Sequence, residues 1–437
     1  MSVAGEDAVT HRRVLRIAGP IVLSNATVPL LGAVDTGVVG QMGAAAPIGA
    51  VGLGAVVLAT FYWIFGFLRM GTTGLAAQAH GRGDGAERAA VLWRALNIGL
   101  AAGLGLILCQ GLLFWAAFRV APASAEVEAL ARSYLGLRIW GAPATISLYA
   151  VTGWLIAMER TRGVLVLQLW MNGLNIALDL WFVLGLGWGV PGVAIATLIA
   201  EWTGLAFGLW LCRDGLSRLE LPRILDRVAL RRMAGVNSDI MIRSVLLQGS
   251  FTAFLFFGAG LGDVTLAANQ VLLQFLEITA YALDGFAFAA ETLVGQAVGA
   301  GSRPALRRSI RLSFQWSVGG AFALSALFAV AGPIIINVMT TAPEVRETAR
   351  IYLWWLVAAP LIGVASWTYD GIYIGATATR EMRNAMVFCV SLYALSLAIL
   401  LPALGNHGLW ASIMVLNTLR GLTLGRRWPA IEARLTT

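Results

Sequence analysis

Asp35 is the only Asp, Glu, Lys, Arg or His between Arg16 and Arg69, and it stands in the apolar run LLGAVDTGVVG. A carboxylate there is costly in lipid and is kept where it faces a bundle interior or a water-filled path. A second constellation lies in LVLQLWMNGLNIALDLWFVLG, where Gln168, Asn172, Asn175 and Asp179 recur at steps of four, three and four. On a helix that spacing places all four on one face, and such a stripe must turn away from lipid. Two carboxylates drawn together in a low-dielectric layer cannot both ionise cheaply, so they titrate as a unit and can hold a proton near neutral pH. Asn175 and Thr197 supply neutral hydrogen bonds for either protonation state, or for Na⁺ in place of H⁺. The candidate coupling-ion set is therefore Asp35, Asp179, Asn175 and Thr197, with Asn172 and Gln168 as cavity residues beside it. Glu201, one turn after Thr197, either joins this network or contacts water. An isolated acid near a helix end can also simply reach interfacial water, but the aligned stripe argues against that for Asp35.

These side chains need helices that cross a bilayer. The chain is 58% hydrophobic and 12% charged over 437 residues, with a mean hydropathy of +0.77. That lies far from the roughly 25% charged residues of soluble domains. Apolar runs of membrane-spanning length fall at 17–39, 48–70, 91–114, 134–157, 164–186, 192–212, 240–261, 271–298, 312–338, 351–376, 385–403 and 407–425. The run after Arg16 is too long for a cleaved signal segment and is read as the first span. Asp35 is four residues from the outer end of its span, Asp179 seven from its own, and Thr197 about five into the next. At about 1.5 Å per residue these depths agree to within roughly 5 Å. Pro20 and Pro29 let the first helix bend, because proline removes a backbone donor.

All 31 basic residues are arginine. Most fall on one side: the N-terminus, the loops around 82–94, 160–162, 213–243, 303–311 and 380–383, and the C-terminal tail. This positive-inside asymmetry predicts cytoplasmic termini, with the anionic lipid leaflet, and not nucleic acid, as the partner of the basic face. The membrane-embedded charges read as mainly acidic, with Arg69 and Arg138 near span ends.

A shift of 218 residues aligns EVEALARSYL (126–135) with EVRETARIYL (344–353) at six of ten positions. The same shift pairs Gln78, Gly81 and Gly83 with Gln296, Gly299 and Gly301, Gly153 with Gly371, and Arg162 with Arg380. The chain therefore reads as two copies of six spans each, an even number, which gives parallel repeats about an axis along the membrane normal. The expected fold is an all-α polytopic membrane protein of twelve transmembrane helices, with an N-terminal lobe over 1–212, a cytoplasmic linker over 213–239 and a C-terminal lobe over 240–437.

The intramembrane acids do not repeat. Asp35, Asp179 and Glu201 face Ala253, Leu397 and Leu419 under the shift, while Asp370 faces Thr152. Glu277, Asp284 and Glu291 are seven apart on one side of the eighth span, spread along about 20 Å. With Asp370 in SWTYDGIYIG they read as a negative cavity wall that attracts cations, although Glu291 at the cytoplasmic mouth is equally well read as solvated. No Walker A, HExxH or GxSxG sequence and no Cys/His cluster is present, so neither catalysis nor a cofactor nor a metal centre is expected beyond the coupling ion. Two lobes with a one-sided acid cluster predict secondary transport. A lipid-linked oligosaccharide flippase, which calls for basic cavity residues, and a major facilitator-type porter, only faintly echoed by HGRGDGAERAA, are the alternatives.

The chain resembles the multidrug and toxic compound extrusion (MATE) family, and within it the DinF-like branch. The resemblance is carried in order by AGPIVLSNATVPLLGAVDTGVVGQMG, NIALD, PGVAIAT, GFAFAAETLVGQAVGAG and YDGIYIGATATREMRNAM, over nearly the whole length. It implies V-shaped lobes and export of cationic or amphipathic compounds across the bacterial inner membrane by a monomer, in exchange for H⁺ or Na⁺. It also implies Asp35 as the protonation site, with Asn175, Asp179 and Thr197 as neighbours. The seventh span lacks the acid of the sodium-coupled branch.

Overall fold

The computed structural model describes residues 9–41, 44–121, 123–217 and 220–435. The side chains of 28–33, 35, 36 and 435 lie outside that description. Among the described residues seventeen α-helices run in order: α1 (His11–Gly40), α2 (Ala45–Ile64), α3 (Phe67–Gly81), α4 (Gly85–Leu108), α5 (Gln110–Val120), α6 (Ala125–Arg138), α7 (Ala142–Ala157), α8 (Thr161–Asp179), α9 (Gly189–Leu211), α10 (Arg213–Leu216), α11 (Leu221–Ile224), α12 (Arg227–Ala259), α13 (Asp263–Gly299), α14 (Arg303–Met339), α15 (Pro343–Gly375), α16 (Thr379–Leu404) and α17 (Asn406–Leu435). No strand occurs among the described residues. A chain this apolar must satisfy its backbone internally, and within lipid an unbroken helix does so.

Among the described residues ten helical stretches are long and apolar enough to cross a membrane. Two of them join α2 to α3 and α6 to α7. With α1 and α17, each 30 residues long, they make the twelve-helix architecture expected from hydropathy.

The duplication is visible in backbone detail. Gly83 and Gly301, equivalent under the 218-residue shift, both have positive φ, 73° and 65°. So do the equivalent Glu159 and Thr377, at 56° and 52°, where a side chain normally resists that conformation. After each glycine comes an N-cap at equivalent positions: the Asp84 carboxylate accepts from the Glu87 N–H at 2.9 Å, and the Ser302 hydroxyl accepts from the Ala305 N–H at 3.4 Å. A Cβ at Gly153 would overlap the Arg69 carbonyl, and one at its equivalent Gly371 would overlap the Ala287 carbonyl. Helix association in lipid depends on such close backbone approach, since burial of apolar surface drives it little.

The chain divides into two compact units. One comprises Leu23–His80 and Asp84–Ala234; the other holds the described residues up to Val22, Gly81–Gly83, and the chain from Gly235. Both α1 and α12 therefore change unit along their length. In the first unit α4 packs on α7 and α8 on α9. The second is built on α13, α14 and α15, with α16 and α17 alongside. Its core centres on the edge-to-face pairs Phe254–Trp410 and Phe275–Phe328, with centroids 4.7 and 5.0 Å apart. A reciprocal amide pair, Asn269 with Asn406 at 2.7 and 2.9 Å, accompanies them.

Candidate functional site

The four polar residues of α8 share a face, and they become less exposed along the helix. Gln168 is partly exposed and Asn172 is 7% exposed, while Asn175 and Asp179 are 1% and 0% exposed. Asp179 ends the α-helix, and the chain continues as a π-helical turn over Leu180–Gly185. Widened turns of this kind concentrate at functional sites.

Two threonines take up the asparagines. The Thr197 hydroxyl donates to the Val193 carbonyl at 3.0 Å and accepts from the Asn175 amide at 3.0 Å. The Thr27 hydroxyl on α1 donates to the Ser24 carbonyl at 2.7 Å and accepts from the Asn172 amide at 3.1 Å. Gln168 donates to the Asn172 carbonyl oxygen at 2.9 Å, completing that amide. Each threonine spends its one proton on its own helix and offers lone pairs to α8. In this way α8 is fastened to α9 through Thr197 and to α1 through Thr27, whose carbonyl also accepts from the Asn172 amide at 3.3 Å. Sequence reasoning misses Thr27; its signal is a polar residue two turns before Asp35 on the same helix.

α1 continues without interruption through Pro20, Pro29 and Asp35. The side chains of Pro29 and Asp35 fall outside the described residues.

Glu201 meets Arg138 on α6 in a bidentate pair, with Nη1 to Oε2 at 2.6 Å and Nη2 to Oε1 at 2.9 Å. Each side chain is 9% exposed. Gly141 lies against the carboxylate, where a Cβ would collide with it. Of the two readings open for Glu201, contact with open water does not describe this environment.

Asp370, read as part of a negative cavity wall, is paired with two arginines in the second unit. Arg243 and Arg420, assigned from sequence to the basic cytoplasmic face, are buried in helices at 6% and 3% exposure. Both donate to Oδ2 of Asp370, Arg420 at 2.6 Å, and Arg420 also donates to Asn417 at 3.1 Å. Asp370 thus lies between two cations, and the trio carries a net positive charge where a negative wall was expected. Interhelical pairing hides these arginines from a hydropathy scan, which reads one helix at a time. Along α13, Glu277 is exposed and Asp284 half-buried, while Glu291 is 1% exposed and not solvated. At steps of seven they are about 10 Å apart in turn and do not form one site. Among the described residues no group of three or more His, Cys, Asp or Glu is placed to hold a metal ion.

The MatE family model matches this chain twice, over residues 20–181 and again over 240–400. The chain belongs to the MatE family. Both copies of the repeat are recognised separately, and the major facilitator alternative is set aside. This MatE protein is 39% identical over 417 residues to the DNA damage-inducible protein F of Escherichia coli (strain K12), covering 94% of this chain and 90% of that one. It is 26% identical over 457 residues to the probable multidrug resistance protein NorM of Pseudomonas aeruginosa, covering 96% and 90%. Its structure is similar to that of the Vibrio cholerae MATE transporter VcmN in the bent form, with a TM-score of 0.88 over 97% of each chain at 18% identity. That likeness establishes the fold. As a MatE protein the chain is a multi-pass membrane transporter and not an enzyme.

Proposed function

We propose that this protein exports cationic or amphipathic small molecules across the bacterial inner membrane by antiport with H⁺ or Na⁺. Asp35 is the main coupling-ion acceptor, with Asp179, Asn175 and Thr197 as its companions. The protein works as a monomer with both termini cytoplasmic, and its transport lobes are residues 1–212 and 240–437, joined by the linker 213–239.

The observation that carries this reading is the Thr27–Asn172 bond. The first and fifth spans run in the same sense, because four alternating crossings separate their starts. Asp35 lies eight residues beyond Thr27, and Asp179 seven beyond Asn172. At 1.5 Å per residue the two acids are about 12 and about 10.5 Å further along their helices, at nearly the same depth. The bond between α1 and α8 supports a register in which Asp35 lies at about the depth of the buried Asp179 and the Asn175–Thr197 pair. A carboxylate pair held there favours one bound proton over two negative charges. Release of that proton restores the repulsion, and α1, with prolines at 20 and 29, is the helix suited to bend in response.

The test is transport by reconstituted protein with each ion gradient imposed separately. Asp35→Asn is expected to abolish ΔpH-driven ethidium efflux while membrane abundance stays unchanged. Full activity of that variant would remove the assigned role, and efflux driven by Na⁺ alone would assign the other ion.

A further inference from the structure

The shift that aligns the two halves carries the polar site of one unit onto an apolar cavity of the other. Thr27, Asp35, Asn172, Asn175 and Asp179 correspond to Val245, Ala253, Val390, Tyr393 and Leu397. All five of these line one cavity of about 650 Å³ between α12 and α16. The second repeat has a cavity at the equivalent positions, lined by apolar side chains.

The cavity has a cause in the sequence. Val245, Gly249, Ala253 and Phe257 recur every four residues along one wall, and Val390, Ala394, Ala398 and Pro402 along the other. Gly249, Ala253, Ala394 and Ala398 place small side chains in the middle of the two walls. A Cβ added at Gly249 would meet nothing within 4 Å. The floor is tied by Tyr393, 2% exposed, whose hydroxyl donates to the Ser250 carbonyl at 3.1 Å. The Ser250 hydroxyl donates to the Leu246 carbonyl at 3.0 Å. Both polar groups are thus committed within the protein, and the wall holds no charge. From Val245 to Phe257 the space extends along about 18 Å of helix, and its volume falls within the roughly 300–1,000 Å³ of small-molecule sites.

We propose that this cavity receives the hydrocarbon part of an amphipathic cargo, as the apolar counterpart of the ion site in the other repeat. The proposal rests on the efflux reading above and names the chemistry of the cargo. Side chains serving only to pack α12 against α16 would fill the space. Here Gly249, Ala253, Ala394 and Ala398 leave it open, and with its polar atoms satisfied it discriminates by apolar shape and length alone. A transporter with this division of labour holds an ion by charge in one repeat and a tail by dispersion and desolvation in the other.

The experiment uses full-length protein in nanodiscs and a series of n-alkyl triphenylphosphonium cations from methyl to heptyl, with partition into empty nanodiscs subtracted. Wild-type affinity is expected to tighten about fourfold per added methylene until the cavity is full. Gly249→Leu and Ala398→Phe, which fill it from opposite walls, should flatten that dependence and leave methyl-compound affinity within about twofold. Two fillers are used so that one misfolded variant, recognised by gel filtration, does not decide the matter. An equal chain-length dependence in wild type and in both monodisperse variants overturns the proposal. Co-purified phospholipid that falls in the variants while the alkyl dependence stays unchanged assigns the cavity to bilayer lipid, and also overturns it. Export of the methyl compound driven by an H⁺ or a Na⁺ gradient, each imposed separately, is measured alongside. If that export persists while the cavity result fails, only this proposal is lost; if it is absent in wild type, the efflux reading fails with it.

Discussion

The bidentate pair between Arg138 and Glu201 separates a structural acid from a transporting one. Its side chains are each 9% exposed, and both guanidinium nitrogens that meet the carboxylate lie within 2.9 Å. Removing one charge strands the other in a low-dielectric interior, which costs about 3–5 kcal/mol, whereas replacing both with apolar groups of similar volume is often neutral. Glu201→Gln keeps the shape and some hydrogen bonding, so its cost should fall at the lower end, about 3 kcal/mol. That is roughly a hundredfold in the folding equilibrium. Arg138→Met alone should cost at least as much, because it strands a full carboxylate. Combining Arg138→Met with Glu201→Leu removes both charges and should recover most of the loss. The assay is reversible unfolding in mixed micelles, arranged as a double-mutant cycle, with ethidium efflux measured on each variant. A strongly positive coupling, with transport restored in the double variant, makes the pair a strut between α6 and α9. Additive single effects below about 0.5 kcal/mol, or a double variant that is stable yet inactive, would refute the reasoning and return Glu201 to the transport pathway.

Other outcomes follow from the same geometry. Asp370→Asn should destabilise the second unit more than Arg420→Gln does, since the first change removes the carboxylate that two buried guanidiniums share and the second leaves it balanced by Arg243; the order of melting temperatures in detergent checks this, and the reverse order refutes it. Thr27→Val and Asn172→Ala should each cost about 1 kcal/mol and show coupling in a cycle, and both should slow ΔpH-driven efflux by loosening the register between α1 and α8. Outside the spans, burial raises the pKa of Asp84, but the Glu87 N–H and the Arg223 guanidinium outweigh it and hold the carboxyl below its usual range. Burial also opposes the pairing of Asp214 with Arg160, which again prevails and lowers the carboxyl. A carboxyl lowered in the folded state stabilises above its unfolded pKa and loses that contribution as pH falls through the folded value. Melting temperature should therefore drop below about pH 4, and less steeply in a variant carrying Asp84→Asn with Asp214→Asn.

How much of this was legible depends on whether the relevant signal runs along one helix or between helices. Twelve spans, the tandem repeat and the one-faced stripe of α8 are properties of a single stretch or of a fixed shift, and periodicity reports them directly. Even the backbone agrees with the shift, in the positive φ of Glu159 and Thr377, although no sequence rule picks out either residue as left-handed. Pairings across helices left no such trace. Arg243 and Arg420 resemble members of a basic cytoplasmic face when each helix is read alone, and only packing brings them both to Asp370. Thr27 is one hydroxyl in an apolar run, and its meaning depends on Asn172, 145 positions away.

The same distinction bears on where chemistry is to be sought in a duplicated transporter. A repeat supplies two equivalent frameworks, so any residue needed only for the framework should be the same kind in both. Gly153 and Gly371 meet that condition, as do the caps at Asp84 and Ser302. Residues that break it are under a different constraint. The pairs Asp35 with Ala253, Asn175 with Tyr393 and Asp179 with Leu397 all break it in one direction, and their apolar members line a single cavity. Exchanging one pair tests whether polarity at these positions can be moved. Leu397→Asp places an acid on the apolar wall, where the hydroxyls of Ser250 and Tyr393 are already donating to backbone carbonyls. With no partner to hold it charged, that acid should be destabilising by several kcal/mol at neutral pH and less so in acid, as protonation relieves it. A variant whose stability does not improve as pH falls would show that water reaches Leu397 freely, and that the wall is not the dry surface on which selection by chain length depends.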